Sequence, residues 1–197
     1  MSNSENNTSR KAQAKVLRVF RKVHRLTGAF LFVFFFIVSI SGLLLGWKKH
    51  SGDLILAKTR TGQSADPQEW KSINEITLIA QAYLLDSIDA SLSPAIDRLD
   101  IRQDKGIVKV LFADHYKSFQ IDCTTGEVLH TETRLSDLIE HIHDGSIIDD
   151  TFGWQKGLFK LAYTTVTGLA LLVFTITGFW LWYGPKVMRK QTNKVLV

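Results

Sequence analysis

The feature that most constrains this chain is a run of 22 residues, 26–47, without a charged side chain. As an α-helix that rises about 1.5 Å per residue, the run spans about 33 Å and can cross a hydrocarbon layer of about 30 Å. Trp47 ends the run, where an amphipathic ring suits the membrane interface. A cleaved signal peptide would have a shorter apolar region, of about 7 to 15 residues, and a small-residue cleavage site, which Gly46, Trp47 and Lys48 do not provide. We therefore interpret residues 23–50 as a retained transmembrane helix.

Two histidines lie at opposite ends of one face of this helix. Successive residues of an α-helix are rotated by about 100° around its axis. Eight residues then lie within one stripe less than about 100° wide: His24, Gly28, Leu31, Phe35, Ser39, Gly42, Gly46 and His50. A glycine stands one turn inward of each histidine, Gly28 after His24 and Gly46 before His50. Haem iron takes axial histidine ligands and a flat macrocycle needs space beside them, so the stripe is consistent with a haem b site. Close packing of a second helix on the glycines is the alternative, and both interpretations stay open.

Charge is distributed unevenly, although the chain as a whole carries only +5. Residues 1–47 hold seven Lys/Arg and one Glu, residues 48–157 hold twelve Lys/Arg and eighteen Asp/Glu, and residues 158–197 hold five Lys/Arg and no acid. This pattern indicates a membrane topology rather than a surface for nucleic acid. We expect both termini in the cytoplasm and the acidic middle on the outer side. Residues 1–22 are expected to be a basic cytoplasmic segment. Within it, the polar residues 1–7 are expected to be disordered, and the basic stretch 11–25 either extends the first helix into the cytoplasm or lies on anionic lipid.

The middle of the chain, residues 51–134, has the pattern of a small α+β domain. Ser72 and Glu75 form a capping box, after which apolar residues recur with helical spacing. The period then changes to two, with turns at 104–106 and 122–127, which predicts a helix packed on an antiparallel meander of four strands. A domain of this size is marginal for an independent core, so we expect it to rest on a second copy, a partner or the membrane helices.

The chain returns to the membrane after this domain. Residues 135–156 are predicted to form a short amphipathic helix and a loop that leads back to the bilayer, with Trp154 at the interface. Residues 157–184 are predicted to form a second transmembrane helix, which the Gly-Pro pair at 184–185 ends, and residues 185–197 a basic cytoplasmic tail. A stripe of small residues on the second helix is expected to meet the first helix: Thr164, Gly168, Leu171, Thr175 and Gly178.

The other histidines and the cysteine have simpler interpretations: His141 is expected to be a polar position on a surface helix, and for His143 this interpretation and a role as iron ligand both stay open. His141 and His143 are two positions apart, so they point to nearly opposite sides of a helix and cannot both bind one iron. His115 and His130 lie in turn and strand contexts and are expected to be solvated. Cys123 is the only cysteine, which excludes an internal disulfide, a cysteine zinc cluster and a covalently attached haem.

This arrangement resembles the PepSY-associated transmembrane family in three places. The sequence VHRLTG at residues 23–28, followed by the apolar run with SGLL at 41–44, resembles the first helix of that family. Residues 122–129 resemble the terminal strand turn of a PepSY domain. The sequences LIEHIHDG at 138–145 and TGFWLW at 177–182 resemble the beginning and the end of the family's second helix.

The resemblance implies a function and a set of ligands. Larger members of the family have more membrane helices, and some are inner-membrane reductases of ferric siderophores that hold haems between histidines. It implies iron-ligand roles for His24 and His143, whereas His50 comes only from the stripe described above. The second membrane helix contains no histidine, so a haem on the cytoplasmic side needs His24 from two chains. His50 and His143 can pair within one chain or across a dimer, and a dimer doubles the number of helices.

Two hypotheses for the function stay open. In the first, the chain is a haem-binding redox protein of the bacterial inner membrane, with its central domain in the periplasm, that passes electrons to a ferric siderophore or another ferric complex. It would act as a homo-oligomer or within a larger membrane complex. In the second, it is a non-enzymatic, membrane-tethered PepSY module for binding or regulation, or an accessory subunit of an envelope complex. The sequence contains neither a Gly-x-Gly-x-x-Gly motif nor a P-loop.

Overall fold

The computed structural model describes the backbone of residues 3–153 and 157–193. Side chains are described for residue 8 and for residues 11–153 and 157–188. The expected interface residue Trp154 lies outside this part of the chain.

The chain divides into two compact units. The first, called here the transmembrane unit, consists of Met1–Ser41 and Ile142–Val197. The second, called here the sheet unit, consists of Gly42–His141.

Two long helices dominate the transmembrane unit, α1 at Asn3–Trp47 and α5 at Leu158–Asn193. Both are long and apolar enough to cross a membrane. Many of their large apolar side chains are exposed, such as Phe30 at 79% and Leu161 at 64%, which suits contact with lipid. With 45 residues, α1 measures about 67 Å, roughly twice the hydrocarbon layer. The basic stretch 11–25 continues the membrane helix, which was one of the two predicted alternatives. The prediction that residues 1–7 are disordered was wrong for residues 3–7, because α1 begins at Asn3.

The ends of both helices differ from the predicted ends. Helix α1 stops at Trp47, and Lys48–His50 form a 3₁₀ turn, so the helical stripe does not reach His50. The prediction that the Gly-Pro pair at 184–185 ends the second helix was wrong, because α5 continues through Pro185. Proline costs the helix one backbone hydrogen bond but has a helical φ. Buried Gly184 packs against α1, where an added Cβ would lie 3.0 Å from Leu17 Cδ2, and this contact favours the continued helix.

Two short helices precede α5. Helix α3, Leu135–Asp144, is the predicted amphipathic helix. Part of the segment expected to be a loop forms helix α4, Ser146–Phe152. The buried carboxylate of Asp149 on α4 accepts hydrogen bonds from the backbone N–H groups of Phe159 at 3.0 Å and Lys160 at 2.8 Å. These are first-turn donors of α5 without partners in their own helix, so Asp149 caps the transmembrane helix from outside it.

The sheet unit contains the predicted four-stranded antiparallel meander. Its strands follow the order β1 at Ile96–Arg102, β2 at Ile107–Phe112, β3 at Lys117–Asp122 and β4 at Val128–Thr133.

Helix α2, Ile73–Tyr83, packs on one face of this sheet. It begins at the predicted capping box, in which the Glu75 N–H donates to Ser72 Oγ at 3.2 Å and the Ser72 N–H donates to Glu75 Oε2 at 2.9 Å. The hydrophobic core between helix and sheet consists of buried residues from both: Ile76, Ala80, Leu84, Val108, Val110, Phe112, Phe119, Ile121 and Cys123.

A segment before α2 bonds to buried polar side chains of β3. Gln120, fully buried, accepts a hydrogen bond from the Arg60 N–H at 2.7 Å and donates one to the Lys58 carbonyl at 3.0 Å. Asp122 accepts from the Gln63 N–H at 2.7 Å. These residues pair with an extended backbone as a neighbouring strand would. The small domain therefore obtains part of the cover that its size requires from its own linker.

Candidate functional site in the transmembrane helix pair

His24 is half-buried where α1 packs on α5. Its Nδ1 lies 2.9 Å from Thr177 Oγ1 and 3.1 Å from the carbonyl oxygen of Phe174. The imidazole stacks on the Phe174 ring, with centroids 3.9 Å apart and an angle of 23° between the planes. Gly178 leaves space beside the ring, since an added Cβ would lie 3.2 Å from His24 Cε1. One turn of α5 thus forms a cradle for this imidazole.

The partners of Nδ1 determine the tautomer of His24. A carbonyl oxygen only accepts hydrogen bonds, so Nδ1 must carry the hydrogen that it shares with Phe174. The Thr177 hydroxyl has a single hydrogen and lies 2.7 Å from the Val173 carbonyl in its own helix, so it donates there and accepts from His24. Neutral His24 is therefore the Nδ1–H tautomer, and its Nε2 holds a lone pair. Among the described residues, Nε2 has no hydrogen-bond partner.

His143 has the same arrangement farther along α1. Its Nδ1 lies 2.8 Å from the hydroxyl of Ser41, a side chain that is only 4% exposed. That hydroxyl lies 2.6 Å from the Ile37 carbonyl one turn earlier, to which it donates its hydrogen. Nδ1 of His143 is then the donor and Nε2 keeps its lone pair. His24 and Ser41, the partner of His143, are 17 positions apart on α1. The two imidazoles therefore lie at levels about 25 Å apart along this helix.

The predicted glycine positions differ in their surroundings. An added Cβ at Gly28 would lie 2.9 Å from Phe174 Cε2, so the space expected for a macrocycle holds an aromatic ring of the facing helix. That ring also meets Phe35 edge-on, at a centroid distance of 5.7 Å. At Gly46, no atom lies within 4 Å of an added Cβ among the described residues. Gly28 therefore serves the helix–helix contact, and Gly46 leaves open space.

His50 does not share the surroundings of the other two histidines. It lies in the 3₁₀ turn after α1, is exposed and belongs to the sheet unit. Among the described residues, His50 forms no hydrogen bond, ion pair or aromatic ring contact through its side chain. Its pairing with a second histidine stays a prediction.

The helix face that α5 presents to α1 is offset by one residue from the predicted stripe. The stripe of small residues is exposed at Thr164, Gly168, Leu171 and Thr175, whereas Gly178 lies against His24 of α1. The buried and half-buried face holds the preceding positions: Tyr163, Thr167, Ala170, Phe174 and Thr177. Of these, Tyr163, Phe174 and Thr177 have contacts with side chains of α1. The prediction assumed that small side chains mark the face of closest helix contact, and a large residue such as Phe174 is not expected there. The spacing of small residues therefore did not identify Phe174 and Thr177. Thr177 is one of five threonines between residues 164 and 177, so its side-chain type alone did not distinguish it.

A clamp at the start of α5 holds the end of α3, next to His143. Lys160 forms an ion pair with Asp144 at 2.5 Å. Burial alone would raise the pKa of Asp144, but hydrogen bonds from Lys160 and Ser146 outweigh it and hold this pKa below its ordinary value. Gly145, at a φ of 81°, lies under Tyr163, where an added Cβ would be 2.9 Å from the ring. The clamp fixes the backbone that carries His143.

Two other histidines have structural partners. The expectation that His115 is solvated was wrong: its Nδ1 accepts from the Lys117 N–H at 3.2 Å and its Nε2 lies 3.1 Å from the Ser93 carbonyl. His141 Nδ1 lies 3.0 Å from the hydroxyl of Tyr116 in the sheet unit. His130 is half-buried on β4. His24 and His143 belong to the transmembrane unit, and the Nδ1 atom of each lies next to a hydroxyl group. None of the three histidines described here meets both of these conditions.

The donor set therefore fits haem iron, but the predicted cradle at Gly28 does not. A histidine that binds a metal through one nitrogen usually donates a hydrogen bond from the other, which fixes the ring and its tautomer. His24 and His143 both meet this condition. A planar group on His24 cannot use the space beside Gly28, since Phe174 occupies it. One chain therefore supplies one such imidazole at the level of His24 along α1 and one at the level of Ser41, where His143 binds.

Comparison with known proteins gives one result. The family model described as the PepSY-associated TM region matches residues 21–195, which is most of the chain. No curated protein and no solved structure matches it. The matched range includes α1 from residue 21 onward, the four-stranded sheet, His24, His143 and all of α5. The chain belongs to the PepSY-associated transmembrane family, as a membrane α+β protein with two spanning helices.

Proposed function

We propose that this protein binds haem iron through His24 and His143 and passes electrons across the bacterial inner membrane to a ferric siderophore or another ferric complex. One observation carries the proposal. The Nδ1 atoms of both imidazoles lie 2.9 Å and 2.8 Å from a hydroxyl oxygen of the transmembrane unit; with that hydroxyl as the acceptor, Nε2 is left available. Such a bond on one ring nitrogen orients the ring and raises the basicity of the other nitrogen, which then binds metal more strongly.

The residues around each imidazole have separate roles in this proposal. Thr177 and the Phe174 carbonyl hold His24 in one orientation, and Ser41 does the same for His143. The clamp between Asp144 and Lys160 keeps α3 against the start of α5. Bound haem would supply reversible one-electron chemistry at each level. A separation of about 25 Å along α1 is close to the thickness of the hydrocarbon layer, so the two levels lie toward opposite faces of the bilayer.

A second copy of the chain completes each site in this proposal. Two axial histidines require a second imidazole at each level, and one chain supplies a single imidazole with this geometry to each. A symmetric dimer would bring the two His24 side chains to one haem, and it would give four membrane helices in total. The electron donor and the ferric acceptor are separate molecules.

The packing at Gly28 favours a second candidate function, a membrane-tethered module for binding or regulation. Phe174 fills the space beside Gly28, and the bond between His24 and Thr177 is also what holds polar helix pairs together in membranes. In this case the histidines are structural and the sheet unit is the functional part.

An absorption spectrum of the full chain, expressed with haem supplied and purified in detergent, separates the two functions. We expect a Soret band that is lost in His24→Ala and in His143→Ala. The matched control is His141→Ala, because this residue lies two positions from His143 but bonds to Tyr116 in the sheet unit, and it should keep the band. A folded, colourless wild-type protein would contradict the redox proposal and leave the module.

The proposed orientation has its own test. Positive termini favour a cytoplasmic location of both chain ends, and the acidic middle then lies in the periplasm. Protease added to spheroplasts should cut within residues 51–134 and leave the termini intact. If the middle stays protected until the cells are lysed, the orientation is the reverse.

A further inference from the structure

We infer that the basic end of α1 is a binding surface for anionic lipid headgroups. Four exposed cations, Arg18, Arg21, Lys22 and Arg25, lie on one side of the helix within an arc of about 100°. They are called here the cationic stripe. The stripe is centred about 120° around the helix from the side that contacts α5, where Leu17, Phe20 and His24 lie on this part of α1.

The cationic stripe has no carboxylate to neutralise it. The sequence contains no Asp or Glu between residues 6 and 52, and none from residue 157 to the end. Among the described side chains, none of the four cations forms a salt bridge. A second copy of α1 or α5 would present the same sign of charge, so this face repels another copy of the helix pair. The complementary partner is an external anion.

The position of the stripe along α1 favours lipid as that anion. Arg25 directly precedes the uncharged run, and Arg18 lies about 10 Å farther along the helix. The headgroup layer of one leaflet is about 5 to 8 Å thick. All four cations are therefore within or next to the layer of lipid phosphates when the uncharged run crosses the bilayer.

Aromatic residues of α5 mark the same layer. Trp180 lies beside α1 at the level of the stripe, with its ring centroid 6.1 Å from that of Phe20. The Trp182 side chain is 61% exposed, and the Lys186 amine lies 3.6 Å from the centroid of its ring. Tryptophan and a neighbouring lysine are typical of the membrane interface. Lys186 adds a fifth cation to this end of the unit.

The test compares two charge-removing variants of the full chain in detergent by native mass spectrometry, with phosphatidylglycerol or phosphatidylcholine of identical acyl chains. Arg18→Gln with Lys22→Gln removes two cations of the stripe. Lys48→Gln with Lys49→Gln removes two cations at the other end of α1. We expect wild type to prefer phosphatidylglycerol, and the first variant to lose about fivefold of that preference per cation, roughly 25-fold in total. The second variant should change it by less than about twofold, because it leaves the stripe intact.

A charge-conserving variant, Arg18→Lys with Lys22→Arg, should keep the preference and so separate charge from folding. Equal affinity of the wild type for the two lipids would overturn the inference. So would an equal loss in both charge-removing variants, which would indicate net charge rather than a local surface. Displacement of phosphatidylglycerol by excess inorganic phosphate or by a short DNA duplex would assign the stripe to a soluble anion. The result is independent of haem, since none of these variants alters His24 or His143.

Discussion

The Nδ1 atom of His24 on α1 lies 2.9 Å from the hydroxyl oxygen of Thr177 on α5. This bond joins two helices at positions 153 residues apart in the chain. Because the hydroxyl gives its own hydrogen to Val173, the imidazole must be the donor. One contact thus determines both the helix pairing and the nitrogen that His24 offers to a ligand.

Replacement of the acceptor should weaken the helix pair. Thr177→Val keeps the side-chain shape but removes the oxygen that His24 Nδ1 contacts, and it should cost about 0.6 to 1.7 kcal/mol of stability, the range for such bonds in membranes. Thr175→Val is the matched control, because Thr175 is exposed and bonds only to the Leu171 carbonyl of its own helix. Unfolding of the full chain in mixed micelles by increasing SDS measures both. Equal stability of the two variants would show that the contact contributes nothing.

The two glycines of α1 should respond oppositely to alanine. Gly28→Ala places a methyl group 2.9 Å from Phe174 Cε2, so the ring that stacks on His24 must move, at a cost of about 1 to 3 kcal/mol. Gly46→Ala meets open space and should be neutral or slightly stabilising, since alanine favours helix. The same SDS titration reports both changes. A stable Gly28→Ala protein would mean that Phe174 yields easily and that the site has room to adapt.

The clamp at the start of α5 should make stability depend on acid. The pKa of Asp144 is lowered in the folded protein, so its ionised form stabilises the fold above the ordinary carboxyl pKa, and this stabilisation is lost as the pH falls below about 4. Asp144→Asn should remove that part of the pH dependence, which we expect to be about 1 kcal/mol or less, because Lys160 is 49% exposed. Melting temperatures of both proteins from pH 6 to pH 3 measure the difference. Parallel curves would exclude a stabilising role for the ion pair.

The linker across the sheet should depend on one buried amide. Gln120→Met keeps a similar volume but leaves the Arg60 N–H and the Lys58 carbonyl without their side-chain partner, at a cost of about 1 to 3 kcal/mol per buried group left unpaired. Gln81→Met is the control, because it removes a single exposed bond to the Pro94 carbonyl. Hydrogen exchange at the Arg60 amide should accelerate in the first variant only. Unchanged exchange there would mean that the linker is held by other contacts.

Much of the fold follows from local patterns. The uncharged run, the capping box at Ser72 and Glu75, and the alternation that marks the strands each depend on neighbours within a few residues, and the structure contains all three elements. Local chemistry failed at Pro185, because the packing of Gly184 on Leu17 belongs to another part of the chain.

The histidines divide in the same way. The sequence alone determined that His24 lies next to the uncharged run of a membrane helix and that His143 lies at the end of an amphipathic helix, since periodicity and charge indicate position along a helix. Only the tertiary structure decided what their ring nitrogens contact, because Thr177 and Ser41 are far from them in sequence. Only the tertiary structure showed that the Phe174 ring occupies the space beside Gly28. A helical pattern specifies which residues share a face, but the rotation of one helix against another depends on how both surfaces interlock.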